Sequence, residues 1–95
     1  MAQSAHALEF SYNRMLVGYF QEDTFPTGPG RYRYMPYRGM GHYRMSTQLR
    51  QGSRPKCTFV LPDRKTISFV AVEIPEYGVL KIEDVERDSS AVAGE

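Results

Sequence analysis

The sequence contains a single cysteine, Cys57, and no tryptophan in its 95 residues. One thiol cannot form an intramolecular disulfide, which excludes a small secreted domain held together by disulfides. Residues 1–7 contain neither the basic stretch nor the apolar stretch of a secretory signal. We therefore expect a cytoplasmic protein.

Long apolar segments are also missing. The longest run, at 15–20, is far shorter than the roughly 20 residues of a transmembrane helix, and no membrane association is expected. Leu, Ile, Val and Phe together supply only 20 residues, so a small core must also use the seven tyrosines and five methionines. The length predicts one domain over 1–95. We expect order from about 8 to 87 and mobile ends at 1–6 and 89–95, which carry little apolar surface.

Positive charge is concentrated in the middle of the chain. The net charge is only +1, but segment 31–56 contains six arginines, one lysine and no acid, whereas the segments on both sides are acidic. Such asymmetry is typical of a surface that binds an anionic partner. The alternative is that acidic strands near the C-terminus lie beside the basic segment and neutralise it.

The N-terminal region allows two interpretations. Apolar and polar residues alternate over 8–13, as in a half-buried strand, and 15–20 resembles a more buried second strand. Residues 13–14 would then form a tight turn or a bulge. Apolar side chains also occur at helical spacing, namely Ala5, Leu8, Tyr12, Met15 and Tyr19. We favour the strands.

The middle of the chain predicts one strand and one helix. Residues 31–35 alternate, and Pro36 ends this strand or places it at a sheet edge because proline lacks a backbone N–H. Met45 and Leu49 are four residues apart, the spacing of one helix face, which predicts a short helix over 42–51. Gly52 then occupies the position after a helix where glycine is common.

The last third predicts three strands, at 57–61, 67–74 and 79–85, separated by turns that contain proline or glycine. This regular spacing is typical of an antiparallel meander. We therefore expect a mainly antiparallel β fold of five or six strands, curled into a small roll or open barrel, with one short helix near 43–51. The expected core comprises Phe59, Leu61, Phe69, Val70, Val72, Leu80 and Ile82, with Phe10, Tyr12 and Leu16 packed opposite.

The basic segment interleaves arginine with tyrosine. Arginine binds phosphate or carboxylate through two parallel hydrogen bonds, and tyrosine stacks on nucleic-acid bases. The candidate binding residues are Arg31, Arg33, Tyr34, Tyr37, Arg38, His42 and Arg44. In a strand, however, Arg31 and Arg33 would share one face while Tyr32 and Tyr34 occupied the other. The tyrosines would then serve the core.

Catalysis and metal binding have little support in the sequence. Cys57 and His42 could formally pair, but Cys57 begins an apolar strand, where free cysteine usually behaves as a small buried hydrophobe. Two histidines and one cysteine do not form a spaced set of metal ligands. We expect no enzymatic activity, no metal and no cofactor.

These observations predict a small non-enzymatic binding domain that uses the Arg/Tyr-rich face of 31–56 for an anionic partner, with nucleic acid as one candidate. The alternative is a small homo-oligomer, such as a homodimer. It would associate through an open sheet edge and form a ligand cleft at the interface.

Overall fold

Six strands and one helix make up the computed structural model, which describes residues 7–21, 24–61 and 64–88. The predicted mobile ends, 1–6 and 89–95, lie outside this part. The elements are β1 (Ala7–Tyr12), β2 (Met15–Gln21), β3 (Gly30–Pro36), α1 (Met40–Arg50), β4 (Lys56–Val60), β5 (Thr66–Glu76) and β6 (Val79–Asp88).

All strand pairs are antiparallel, and the order β1-β2-β3-β6-β5-β4 closes into a barrel through pairing of β4 with β1. The predicted antiparallel fold with one short helix is confirmed. The sheet consists of two three-stranded meanders, β1–β3 and β4–β6, rather than a single meander. They are separate because α1 carries the chain from β3 to β4, and β4 lies beside β1. Strand β3 is thereby paired with β6.

The helical interpretation of the N-terminal region is wrong, since β1 and β2 form a hairpin. Asn13 and Arg14 form its two-residue turn, and both have positive φ (54° and 67°). Positive φ at both central residues is characteristic of a type I′ turn, whose twist matches that of the two strands in a hairpin.

A β-bulge in this hairpin reverses one predicted core position. Phe10 lies opposite Gly18, whereas the next residue, Ser11, lies opposite Leu16, so β2 has one extra residue, Val17. The extra residue shifts the inward–outward alternation. Val17 is therefore fully buried, and Leu16 is 49% exposed. The prediction that Leu16 packs in the core is wrong.

Helix α1 starts two residues earlier than predicted and ends at Arg50. Gly52 has a φ of 88°, in the left-handed region that favours glycine after a helix, as predicted. The helix lies close to β2, since a Cβ atom at Gly41 would be 2.1 Å from the carbonyl oxygen of Leu16. One turn later Met45 is fully buried in the core.

Four phenylalanine side chains form the centre of the core: Phe10, Phe20, Phe59 and Phe69. Rings of Phe10 and Phe20 stack with centroids 4.7 Å apart, and four further ring pairs in this group lie 5.5–6.3 Å apart. The predicted burial of Phe10, Phe59, Phe69, Leu80 and Ile82 is confirmed.

Four other predicted core residues are only half-buried, namely Tyr12, Leu61, Val70 and Val72. Strand β5 has apolar residues on both faces, and its inward face is formed by Ile67, Phe69 and Ala71. Val70 and Val72 consequently lie on the outer face of the barrel, where neighbouring residues cover them only in part.

Replacing Phe69 with alanine should lower the free energy of unfolding by about 3–5 kcal/mol, because the fully buried ring contacts three other phenylalanines. Urea denaturation measures this loss. Val60→Ala in the adjacent strand is the control, since Val60 is 61% exposed and should change stability by less than about 1 kcal/mol. A similarly small loss for Phe69→Ala would contradict the described core.

Gly41→Ala should destabilise the fold by about 1–3 kcal/mol, because the added Cβ must displace α1 from the backbone of β2. Alanine is the better helix former by about 1 kcal/mol, so a stabilised variant would show that this contact is not tight. Gly28→Ala is the matched control for the same urea titration, since a Cβ at Gly28 meets nothing within 4 Å.

Candidate functional site

The alternation of β3 separates its arginines from its tyrosines, as predicted. Arg31 and Arg33 are exposed on the outer face, whereas Tyr34 is only 3% exposed. The Tyr32 hydroxyl donates a hydrogen bond to the carbonyl oxygen of Gly28 at 2.8 Å. Tyr32 therefore anchors the preceding loop, and Tyr34 belongs to the core.

Basic side chains meet on the outer face of β3 and β6. Arg31 lies directly opposite Lys81 in the ladder, and Arg33 lies opposite Val79. Neither arginine forms an ion pair with a carboxylate in the described ranges. Glu73 faces Lys81 from the β5 side. We call the surface formed by Arg31, Arg33 and Lys81 the basic face.

Among the described residues, an acidic strand neutralises the basic segment at one place. The Arg54 guanidinium donates to the Glu83 carboxylate with an N···O distance of 2.5 Å, and both side chains are about half exposed. Exposed ion pairs stabilise proteins by less than about 1 kcal/mol. Arg54 therefore has an internal partner, whereas Arg31 and Arg33 have none among the described residues.

The other candidate residues do not converge on one point. The Tyr37 hydroxyl donates to the Glu9 carboxylate at 2.5 Å. Partial burial, with this hydrogen bond, raises the pKa of Tyr37 to about 12. Arg44 lines a cleft of about 410 Å³ with Tyr12, Asn13 and Tyr43 on one side of α1. Arg38 is exposed just before the helix.

His42 lies on a different side of α1 from Arg44 and contacts Tyr34. The distance between the Tyr34 hydroxyl and His42 Nε2 is 2.9 Å. Burial lowers the pKa of His42 and raises the pKa of Tyr34 above its ordinary value of 10.0, with a smaller contribution from Tyr77. At neutral pH this hydrogen bond therefore joins a protonated Tyr34 hydroxyl and a neutral imidazole.

A cleft of about 470 Å³ lies between α1 and the outer face of β5 and ends at the β5–β6 turn. We call it the α1–β5 cleft. Its lining comprises His42, Ser46, Leu49, Arg50, Val72, Glu73, Ile74 and Tyr77. Apart from His42, sequence reasoning identified none of these as site residues. The four lining residues in α1, at positions 42, 46, 49 and 50, have the spacing of one helix face. This spacing is the signal in the sequence that could have identified them.

Tyr77 is the most exposed large hydrophobic side chain in the described part of the barrel, at 78%. It borders the α1–β5 cleft on one side and, on the other, a smaller depression of about 290 Å³ that Arg33 lines. The backbone N–H of Tyr34 donates to the carbonyl oxygen of Gly78 at 2.9 Å, which holds the turn against β3. Tyr77 therefore connects the basic face with the α1–β5 cleft.

Cys57 is in no position to act as a nucleophile. Its side chain is fully buried, its sulfur lies 3.7 Å from the sulfur of Met45, and burial raises the pKa of the thiol to about 12. His42 is hydrogen-bonded to Tyr34 instead. Among residues 7–21, 24–61 and 64–88, no group of three or more His, Cys, Asp or Glu side chains is arranged to hold a metal ion.

No protein-family model, curated protein or solved structure matches this chain. Within the described residues, no helix has the length and apolar character needed to cross a membrane.

Acidification should destabilise the protein through His42. Because burial lowers the pKa of His42 below its ordinary value of 6.5, the unfolded chain takes up this proton first as the pH falls. The stability that the neutral His42 imidazole contributes is fully present above pH 6.5. It is lost as the pH falls through the pKa of His42 in the folded protein. Urea titrations between about pH 7.5 and pH 5 should show a smaller loss for His42→Gln than for the wild type. Identical pH dependence would contradict the burial of this imidazole.

Proposed function

We propose that this protein is a non-enzymatic binding domain whose basic face takes an anionic partner. The observation that carries the proposal is the juxtaposition of Arg31 with Lys81 across the β3–β6 ladder, beside the exposed Arg33. Three cationic groups share one surface of a rigid sheet, and neither arginine has a carboxylate partner among the described residues.

The energetics of this juxtaposition favour an external anion. Like charges directly opposite each other on neighbouring strands destabilise a sheet. Glu73 offsets the charge of Lys81 only from the β5 side, so Arg31 still lies opposite a cation. A bound phosphate or carboxylate would neutralise both groups and form charge-assisted hydrogen bonds with the guanidinium.

The proposed surface is narrower than the 31–56 segment. Arg54 is paired with Glu83, Tyr37 is hydrogen-bonded to Glu9, and Arg44 faces a separate cleft. These differences arise because β3, α1 and the following loop direct successive parts of the segment to different sides of the barrel. Lys81, outside the segment, joins the surface because β6 is the neighbour of β3.

The homo-oligomer alternative receives no comparable support. It required an open sheet edge, and each of the six described strands is paired on both sides in the closed barrel. Association through another surface stays a prediction.

Replacing both arginines of the basic face (Arg31→Ser with Arg33→Ser) should weaken binding of inorganic polyphosphate. Each lost phosphate contact should also reduce the slope of log affinity against log salt by about 0.7. The measurement is isothermal titration calorimetry from about 50 mM salt upward, where such contacts are strongest. Thermal stability should not fall, because the substitutions remove like charges.

The matched control carries Arg44→Ser with Arg87→Ser, which changes the net charge equally at two exposed sites away from the basic face. It should keep most of the affinity and the salt slope. Equal losses in the two double variants would show that only net charge matters and would refute the basic face as a site. Absence of any polyphosphate binding by the wild type at about 50 mM salt would refute the proposed function itself.

A further inference from the structure

Tyr77 presents an aromatic face to solvent at the junction of two different surfaces. One is the basic face, through the depression that Arg33 lines, and the other is the α1–β5 cleft. Its ring and the His42 imidazole are nearly perpendicular, with centroids 6.3 Å apart, and Tyr77 is still 78% exposed beside this contact. Exposed aromatic rings next to arginines are the usual platform for unpaired nucleic-acid bases.

The α1–β5 cleft combines an apolar floor with polar groups that could contact the edge of a flat ring. Leu49, Val72 and Ile74 are all half-buried along it. The polar groups that a ligand could reach belong to His42 and Arg50. The Ser46 hydroxyl oxygen has no hydrogen-bond partner among the described residues, but it is inaccessible to solvent and therefore to a ligand.

His42 adds a second polar group to the cleft. Its Nε2 is hydrogen-bonded to the Tyr34 hydroxyl, so Nδ1 is the ring nitrogen left for a ligand, as a donor or an acceptor according to the tautomer. Arg50 supplies a guanidinium at the rim, where its described interaction is a 3.5 Å contact with the Thr47 hydroxyl. A planar ring with polar edges matches this set better than a purely apolar ligand does.

Charge separates the two surfaces into different roles. Glu73 and Arg50 both line the α1–β5 cleft, so their charges cancel and the cleft has no excess positive charge to attract a phosphate. The basic face, on the other side of Tyr77, carries Arg31, Arg33 and Lys81. A ligand that spans both surfaces therefore needs anionic groups on one side of Tyr77 and an uncharged planar ring on the other.

We propose that the anionic partner is a single-stranded nucleic acid, with one base stacked on Tyr77 over the α1–β5 cleft and adjacent phosphates on the basic face. This inference rests on the proposed function and specifies its ligand class. A duplex does not fit the requirement, since its base faces are covered by stacking within the helix. A phosphate-only polymer would leave Tyr77 and the cleft unused.

The test compares two probes, a short fluorescein-labelled oligothymidylate followed by anisotropy and inorganic polyphosphate followed by calorimetry. Tyr77→Leu should weaken oligothymidylate binding about fivefold to a hundredfold, the usual loss when a stacked base loses its aromatic partner. Polyphosphate binding should not change. Tyr77→Phe should retain most of the oligothymidylate affinity because it keeps the ring.

Tyr43→Leu is the matched control, because Tyr43 is also an exposed tyrosine (60%) but lines the cleft on the other side of α1. It should bind both probes like the wild type. Unchanged oligothymidylate binding by Tyr77→Leu, together with normal polyphosphate binding, would overturn the inference and leave the proposed function intact. Equal weakening of both probes would also overturn it, since a stacking contact cannot affect a ligand without bases. If the wild type binds neither probe, both the proposed function and this inference are refuted.

Discussion

The close contact between helix α1 and strand β2 is the constraint on which the rest of this structure depends. Gly41 permits it, because any larger residue would place a carbon atom against the carbonyl oxygen of Leu16. The helix also carries the chain from the first meander to the second, so its position brings β4 beside β1. Closure of the sheet then determines that β3 and β6 are neighbours, which assembles the basic face.

The same helix separates the interior from the candidate site. Met45 on its inner face packs in the core beside Cys57, whereas His42, Ser46, Leu49 and Arg50 line the α1–β5 cleft. The hydrogen bond between Tyr34 and His42 connects the two regions. A core tyrosine thus positions the imidazole at the cleft.

Several features could be predicted from neighbouring residues alone. The alternation in 31–35 correctly assigned Arg31 and Arg33 to the surface and Tyr34 to the interior. The burial of Cys57 followed from its place at the start of an apolar strand. Such predictions succeed because period-two alternation and local apolar character depend on residues adjacent in the chain. Leu16 shows the limit, since one bulged residue in β2 reversed the face that simple alternation assigned to it.

The sequence by itself determined the fold class, the end of the helix near Gly52 and the concentration of basic residues in one segment. Only the tertiary structure decided which residues lie beside one another. Lys81 joins Arg31 because β6 pairs with β3, and Tyr77 lies beside Arg33 because Gly78 hydrogen-bonds to Tyr34. These partners are more than 40 residues apart in the chain. Pairing between distant strands is set by closure of the barrel and by packing of its core, and no local pattern encodes it.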